Sequence, residues 1–355
     1  MTTPQYNGAH IDERPVEEKK KDFLFHEIVS APAPVAWVEK KPEDWRKFPI
    51  FDQDGSGSCV AQTAAKLLGV MYKENNEQDD YVHFSATHIY QRRANKPKGG
   101  MGGVDCFEIM KKGVTLESLV PSQKLSDAKM DAVKIAKYKE DVGAVFKIGN
   151  YVSLPIKDID TIASTIQETG KAVMVWFYFK HEEWTAQPTV KIKDLELRGE
   201  KTSRHSVTAV DFTMYKGKKC LIIEDSWGPK AGNGAGQRII DEDFFKARNF
   251  FAGYAINFKF IDSIDESQPV SLPKPKYTFT KTLHMSGSIK KGDADVVALQ
   301  ECLQYLGLYP SNVECTGYFG AVTKKAVEKF QAKYGLTVDG IAGPNTIAQL
   351  NSLFA

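Results

Sequence analysis

The sequence predicts an α+β fold, in which one large unit mixes helices and strands and a small all-α unit follows it. A helical pattern of apolar residues begins at Cys59, directly after a Gly-Ser loop. Two strand-like apolar runs, 206–212 and 220–225, flank a turn signal. Near the C-terminus, three short helical segments are separated by glycine-containing turns. With 355 residues, 42% of them hydrophobic, the chain is long enough for two or three domains.

The composition excludes several classes of function. A net charge of +2 argues against nucleic-acid binding as the main activity. No apolar stretch is long enough to span a membrane, and no standard secretory signal is visible at the N-terminus. Five cysteines, an odd and sparse set, do not resemble a disulfide framework. No His/Cys/Asp spacing suggests a zinc site, so we expect no metal and no cofactor.

The chain divides into four parts by composition. Residues 1–41 are polar with scattered prolines and are interpreted as an N-terminal extension or short prosegment. Residues 42–262 mix helical and strand patterns and form the main domain. Residues 263–288 contain three prolines and little apolar periodicity, which is typical of a linker. Residues 289–355 form the small three-helix domain.

Cys59 is placed where a thiol can become a nucleophile. It lies at the predicted start of a helix, where unpaired backbone N–H groups and the helix dipole favour an anion. The alternative is a buried structural cysteine, which is the more common role of an isolated free cysteine. Other residues must decide between the two.

A base and its orienting group are predicted from a β-hairpin. The strand 206–212, the turn Lys216-Gly217 and the strand 220–225 fold back on each other. That fold brings His205 at one end beside Asp225 at the other. Asp225 then fixes the tautomer of the imidazole and leaves its second nitrogen for a thiol. The alternative is a surface histidine and an unrelated turn aspartate.

Together these motifs resemble the papain-like cysteine peptidases over residues 42–260. The segment PEDWRKFPIFDQDGSGSCVAQ carries the nucleophile of the family at Cys59 and its oxyanion-hole glutamine at Gln53. RHSVTAVDF places the base at His205, and IIEDSWG places the third member at Asp225 and its shielding indole at Trp227. The resemblance implies a two-lobed domain with a helical left lobe and a β-barrel-like right lobe.

The resemblance also implies a glycine strip that binds the substrate backbone. GMGGVDCFEIMKKGVTLESLVP matches that strip loosely and assigns substrate binding to Gly102 or Gly103, together with Trp227. Gly99 and Gly100 compete for the assignment.

The sequence departs from the family in four respects. Asp225 stands where the family usually has asparagine, and we expect its charge to favour the thiolate–imidazolium pair toward higher pH. Val60 replaces an aromatic residue, and Ser56 replaces a disulfide-forming cysteine. The long inhibitory prosegment is not visible, and whether residues 1–41 cover the cleft stays open.

The C-terminal unit contains an internal repeat. GYFGAVTKKAV (317–327) and GIAGPNTIAQL (340–350) share the spacing Gly-x-x-Gly-x-x-Thr followed by a helical pattern. Residues 288–350 resemble the peptidoglycan-binding domain of cell-wall hydrolases. Phe330 is expected in the core, and whether Cys302 and Cys315 form a disulfide stays open. The rings that either stack on sugar or belong to the core are Tyr318, Phe319 and Tyr334.

The sequence therefore predicts a cysteine peptidase that a C-terminal domain targets to bacterial cell wall. We favour a protein or peptide substrate, and the alternative is a bacterial or phage lysin that cuts peptidoglycan cross-links. A catalytically silent wall-binding protein and an acyl-transfer enzyme are two further hypotheses. The expected location is the cell wall or the extracellular space, reached without a standard signal peptide or after lysis.

Overall fold

The computed structural model describes most of the chain in two compact units. The first unit comprises residues 1–135 and 143–262, and the second comprises 136–142 and 263–355. Most of the predicted linker lies outside the described residues, which include only 274–285 of it. The described residues are 8–19, 34–53, 55–75, 81–185, 189–190, 192, 203–231, 235–259, 274–285, 293–309, 315 and 317–355.

The described residues form helices and strands in mixed order, as an α+β fold requires. The helices are α1 (Val16–Lys19), α2 (Cys59–Asn75), α3 (Ala86–Tyr90), α4 (Gly103–Lys112), α5 (Asp127–Ala132), α6 (Lys137–Gly143), α7 (Ile159–Thr169), α8 (His181–Trp184), α9 (Glu242–Arg248), α10 (Ala294–Tyr305), α11 (Ala321–Lys333) and α12 (Pro344–Phe354). The strands are β1 (Ala9–His10), β2 (Met101–Gly102), β3 (Asn150–Ser153), β4 (Val173–Phe179), β5 (Thr189–Val190), β6 (Ser203–Tyr215), β7 (Lys218–Glu224), β8 (Gln237–Asp241) and β9 (Asn249–Ile256).

The main sheet of the first unit has the strand order β3-β9-β4-β6-β7-β8-β5 among the described residues. All neighbouring pairs are antiparallel except β5 with β8. The predicted hairpin is β6–β7, and its turn residues Lys216 and Gly217 have φ of 50° and 76°. Two consecutive positive φ values fit the tight turns that match strand twist, so the prediction of this hairpin is confirmed.

Helix α2 is buried around most of its circumference. It begins at Cys59, as the sequence predicts, and nearly all its side chains up to Tyr72 are buried. One of its sides packs on β6, the strand that carries His205. A helix that is buried on nearly every side belongs in the interior, so α2 holds its first residue at a fixed position beside the sheet.

The end of the N-terminal extension is attached to the first unit by its own side chains. The Trp37 indole Nε1 donates to Asp160 Oδ1 at 2.7 Å, and its ring packs edge-on to Phe212. Lys40 Nζ lies 2.6 Å from Asp211 Oδ1. These contacts fix the chain on helix α7 and strand β6 immediately before the main domain.

In the second unit, two buried glutamines explain the internal repeat. Gln300 Nε2 donates to Tyr318 O at 2.9 Å and to Thr323 Oγ1 at 2.8 Å, and its Oε1 accepts from Gly317 N. Gln331, on the next helix, makes the same set of bonds to the second copy. Its partners are Gly340 N, Ile341 O and Thr346 Oγ1, with Asp339 in addition. The repeated glycine and threonine are therefore the partners of one glutamine in each copy.

Other predictions for this unit are also confirmed. Helix α10 ends before Gly307, whose φ is 69°, and α12 begins at Pro344. Phe330 is fully buried, and Phe319 is 6% exposed, so both belong to the core. Tyr334 also packs against this core. Cys302 and Cys315 do not form a disulfide.

Candidate active site

Cys59 and His205 meet where the first turn of α2 faces strand β6. Both residues are 1% exposed. The Cys59 side chain lies within hydrogen-bonding reach of the imidazole and raises the pKa of His205. His205 Nε2 is engaged with Asp225 Oδ1 at 2.7 Å, which leaves Nδ1 as the ring nitrogen for the thiol. The predicted thiol and base are therefore adjacent.

Asp225 follows strand β7 directly and is surrounded by donors. Besides His205, its carboxylate accepts Trp184 Nε1 at 2.8 Å and Arg238 Nε at 2.9 Å, both on Oδ2. The ring of Trp227 lies 5.1 Å from the His205 ring. The carboxylate thus accepts hydrogen bonds on both oxygens, and the Trp227 ring lies against the imidazole.

Burial and neighbouring charges shift the pKa values of His205 and Asp225 in opposite directions. Burial alone lowers the pKa of His205, but the Asp225 carboxylate and the hydrogen bonds from Asp225 and Cys59 raise it to about 9. Burial likewise raises the pKa of Asp225, but the imidazole, Arg238 and Trp184 hold it well below its usual range. At neutral pH the pair is therefore an imidazolium and a carboxylate.

Gln53 is fixed against the segment that follows Asp225. Its backbone N–H donates to Ser226 O at 2.8 Å, and the Ser226 hydroxyl donates to Gln53 Oε1. Its side-chain Nε2 donates to Ser56 O at 2.5 Å. An amide nitrogen carries two hydrogens, so this bond leaves the other hydrogen for an oxyanion. Gln53 and Cys59 lie on one short loop, which Ser226 ties to the His205–Asp225 side.

The predicted glycine strip pairs with the chain's own N-terminal extension. Strand β1 runs parallel to β2, with His10 opposite Gly102, and Met101 N donates to Gly8 O at 3.0 Å. Gly103 begins α4 in close contact with aromatic rings. A β-carbon there would lie 2.8 Å from Phe251 Cζ and 3.0 Å from a Trp176 ring carbon.

Gly8 lies directly against the predicted nucleophile. A β-carbon at Gly8 would come within 2.5 Å of Cys59 Sγ and 2.8 Å of Gly57 O. Ala9, the next residue, is completely buried. In the described structure, the extension therefore covers the thiol and occupies the strip where substrate binding is expected.

Sequence reasoning missed four residues of this site. Gly8 gives no signal, because the extension is polar and its contacts depend on the whole fold. Ser226 lies within the quoted motif but was assigned no role. Trp184 and Arg238 are buried donors to Asp225, and Arg238 stands out only as a charge beside the apolar pair Ile239-Ile240.

The described residues contain neither a metal-binding cluster nor a membrane-spanning helix. Within the ranges given above, no group of three or more His, Cys, Asp or Glu side chains is arranged to hold a metal ion. In the same part of the chain, no helix is both long enough and apolar enough to cross a membrane.

Family comparisons identify the class of protein that this fold and site define. The model of the papain family of cysteine proteases matches residues 39–243, more than half of the chain. The chain belongs to this family. The model of a peptidoglycan binding domain matches residues 292–350, so the chain joins a papain-family domain to a peptidoglycan-binding domain.

Individual relatives match one part of the chain or the other. Cysteine proteinase 1 of Entamoeba histolytica is 27% identical over 240 residues, which cover 64% of this chain and 69% of that protein. The N-acetylmuramoyl-L-alanine amidase CwlM of Mycobacterium tuberculosis is 45% identical over 67 residues, 19% of this chain. The chain spans only 16% of the length of that amidase.

Solved structures support the fold. Xylellain, a cysteine protease from Xylella fastidiosa, has a TM-score of 0.53 at 18% identity and covers 72% of this chain and 97% of its own. Procathepsin L2 from the Tenebrio molitor larval midgut has a TM-score of 0.54 at 17% identity and covers 68% and 76% of the two chains. The papain-like fold of the first unit is therefore established.

Proposed function

We propose that the chain is a cysteine endopeptidase in which Cys59 is the nucleophile, His205 the general base and acid, and Asp225 the group that orients His205. The observation that carries this proposal is the 2.7 Å bond from His205 to Asp225, with Cys59 on the other side of the imidazole. A buried structural cysteine has no need of a fixed base with a fixed orienting group.

The reaction follows from these positions. The sulfur of Cys59 attacks the carbonyl carbon of a peptide bond, and the proton bound at His205 passes to the leaving amine. Water then attacks the thioester, His205 takes its proton, and the carboxylic acid leaves with the thiol regenerated. The Gln53 side chain and the Cys59 backbone N–H stabilise the oxyanion in both steps.

Gly102 and Gly103 are proposed to bind the substrate backbone, and Trp227 to shield the imidazole. The pairing of His10 with Gly102 supports the first assignment, because it places an extended peptide on that strip and beside Cys59. The same pairing favours Gly102 over Gly99 and Gly100. We infer that residues 8–10 hold the enzyme in a blocked state that must open before substrate binds.

The second unit is proposed to hold the enzyme at bacterial cell wall through peptidoglycan. The match of a peptidoglycan binding domain at 292–350 supports this role. We favour a protein or peptide as the substrate, because the papain-family domain resembles enzymes that cut proteins. Hydrolysis of peptidoglycan cross-links is the second candidate, and the same domain match is the observation that favours it.

A parallel assay separates these candidates. The release of new α-amino groups is measured from purified peptidoglycan and from an unfolded protein, with wild type beside Cys59→Ala. Cys220→Ala, which removes a buried thiol on β7, is the matched control and should retain activity. Release that disappears only in Cys59→Ala supports the proposal, and the substrate that reacts identifies the class. Equal release in Cys59→Ala would overturn the proposal. If an amine acceptor is added and becomes part of the product, the reaction is acyl transfer and not hydrolysis.

A further inference from the structure

Asp225 is not the only charge behind His205. Arg238 lies on β8, next to the β7 strand that Asp225 follows, with Ile223 as its cross-strand partner. Its Nε lies 2.9 Å from Asp225 Oδ2, and both side chains are almost completely excluded from solvent, at 3% and 0% exposed. The carboxylate thus bridges two cationic groups, His205 on one oxygen and Arg238 on the other.

The position of Arg238 is determined by aromatic residues and by one carbonyl. Its Nη1 donates to Trp184 O at 2.8 Å, while the indole Nε1 of Trp184 donates to Asp225. Its guanidinium carbon lies 5.4 Å from the ring centre of Trp184 and 5.6 Å from that of Trp227. A planar guanidinium between two indoles and a carboxylate has little freedom to move. Arg238 therefore connects the carboxylate to the indole that covers His205.

We propose that Arg238 is a positioning residue for the reaction, which offsets part of the charge of Asp225 and fixes its carboxylate as the hydrogen-bond acceptor of His205. This inference rests on the proposed function of the Cys59–His205–Asp225 site. An aspartate alone would stabilise the imidazolium strongly and make its proton difficult to transfer to the leaving amine. Arg238 limits that effect while it retains the geometry of the carboxylate.

Within the described part of the chain, the groups around this pair do not offer a substitute for Arg238. On α2, Lys66 Nζ forms a buried ion pair with Glu224 Oε2 at 2.7 Å, and that pair is also neutral as a whole. His181 on α8 stacks on Trp227, with ring centres 6.0 Å apart. Among the residues that the structure describes, the titratable and charged groups around the pair are Cys59, Lys66, His181, His205 and Glu224. Arg238 is the cation that contacts Asp225 directly on the oxygen opposite His205.

The test is a titration of His205 in the full-length chain. Histidine ring carbons are labelled with ¹³C, and the His205 signal is assigned by its loss in His205→Gln. Wild type is compared with Arg238→Met, Asp225→Asn and the double variant. Arg238→Met should move the titration of His205 upward by about one pH unit, because a like charge is removed. Asp225→Asn should move it downward, and the double variant should titrate between Asp225→Asn and wild type, because both the carboxylate and the opposing guanidinium are then absent.

Two controls separate positioning from structure. Arg248→Met removes another buried arginine, whose Nη2 lies 2.6 Å from Glu183 Oε1; it should lower the melting temperature without moving the His205 titration. Arg238→Lys retains the charge and should keep the titration near the wild-type value. If Arg238→Met lowers stability but leaves the His205 titration unmoved, Arg238 is only structural and the inference is wrong.

The titration needs no substrate, so the two proposals can fail separately. A His205 titration that shifts as expected, in a chain that lacks peptidase activity even when Gly8→Val displaces residues 8–10 from Cys59, would overturn the proposed function and retain the role of Arg238. If peptidase activity depends on Cys59 but the His205 titration is unchanged in Arg238→Met, the proposed function is retained and the positioning role of Arg238 is wrong. The basic limb of kcat/KM should follow the titration in each active variant.

Discussion

The backbone of Gly8 lies against the sulfur of Cys59. A β-carbon at Gly8 would come within 2.5 Å of Cys59 Sγ, so there is no room for a side chain at this position. The Gly8 carbonyl accepts a hydrogen bond from Met101 N at 3.0 Å. The residue beside the thiol is thus held by the glycine strip, and a glycine is required at that position.

Enlarging Gly8 should open the cleft. In Gly8→Val, the side chain clashes with Cys59 Sγ and Gly57 O, and overpacking of this kind typically costs about 1–3 kcal/mol. The rate of Cys59 alkylation by iodoacetamide should rise on the order of tenfold. Ile11→Val, at an exposed position of the same segment, should leave the rate unchanged. Unchanged alkylation in Gly8→Val would mean that the extension does not limit access.

Peptidase activity should fall as the pH rises through about 9. The pKa of His205 is raised to about 9 against burial by Asp225 and Cys59, and the mechanism needs its proton for the leaving amine. Because the pKa of His205 is higher in the folded state, its protonation contributes to the free energy of unfolding. This contribution is complete below the ordinary pKa of histidine and is lost as the pH rises through about 9. The kcat/KM profile and urea unfolding at neutral and alkaline pH measure the two effects. A basic limb near the ordinary pKa of histidine would contradict this assignment.

Asp225→Asn should move the basic limb of the pH profile to lower pH by about 1–3 units, because His205 loses its anionic partner. It should also destabilise the fold by about 3–5 kcal/mol, since Arg238 is left buried without its carboxylate. The control is Asp211→Asn, on strand β6 of the same hairpin. It removes the charge that pairs with Lys40 and should not move the basic limb of the pH profile. An unmoved limb in Asp225→Asn would show that the charge of Asp225 has no part in the pH dependence.

Gln53→Ala should lower kcat by about 10²–10³ with a smaller effect on KM, as expected for the loss of one oxyanion-hole donor. Gln62→Ala is the matched control, because Gln62 is also buried but its Nε2 contacts Ser58 Oγ. A change in KM alone would assign Gln53 to substrate binding and remove it from the oxyanion hole.

Gln331→Leu should separate wall binding from catalysis. The substitution leaves the hydrogen-bond partners of Gln331 in residues 339–346 unsatisfied. Each buried unsatisfied group should lower the free energy of unfolding by about 1–3 kcal/mol. Co-sedimentation with peptidoglycan should decrease, while hydrolysis of a soluble peptide should stay unchanged. Gln349→Leu, on α12 and partly exposed, should bind as wild type does. Full wall binding by an unfolded second unit would contradict the proposed role of this unit.

Local patterns predict a large part of this site. The β6–β7 hairpin brings His205 and Asp225 together because the turn at Lys216-Gly217 determines the register of both strands. The start of α2 at Cys59 follows from the helical spacing after a loop of small residues. Short-range chemistry is sufficient for both, since each depends on neighbours in the chain.

Long-range pairings could not be predicted in the same way. Arg238 reaches Asp225 because β8 pairs with β7 in a register that places it opposite Ile223, and sequence periodicity gives faces but not registers. Gly8 reaches Cys59 through a two-residue strand in a polar extension that has no apolar pattern. Such contacts depend on the assembled fold, so no single segment indicates them.

The most direct measurement is to find which cysteine carries the acyl group during turnover. The chain is incubated with a peptide p-nitrophenyl ester, quenched in acid, and the thioester is located by peptide mass spectrometry. We predict a thioester on Cys59 in wild type and in greater amount in Gly8→Val, and none in His205→Gln. A thioester on another cysteine, or turnover without any adduct on Cys59, would contradict the account.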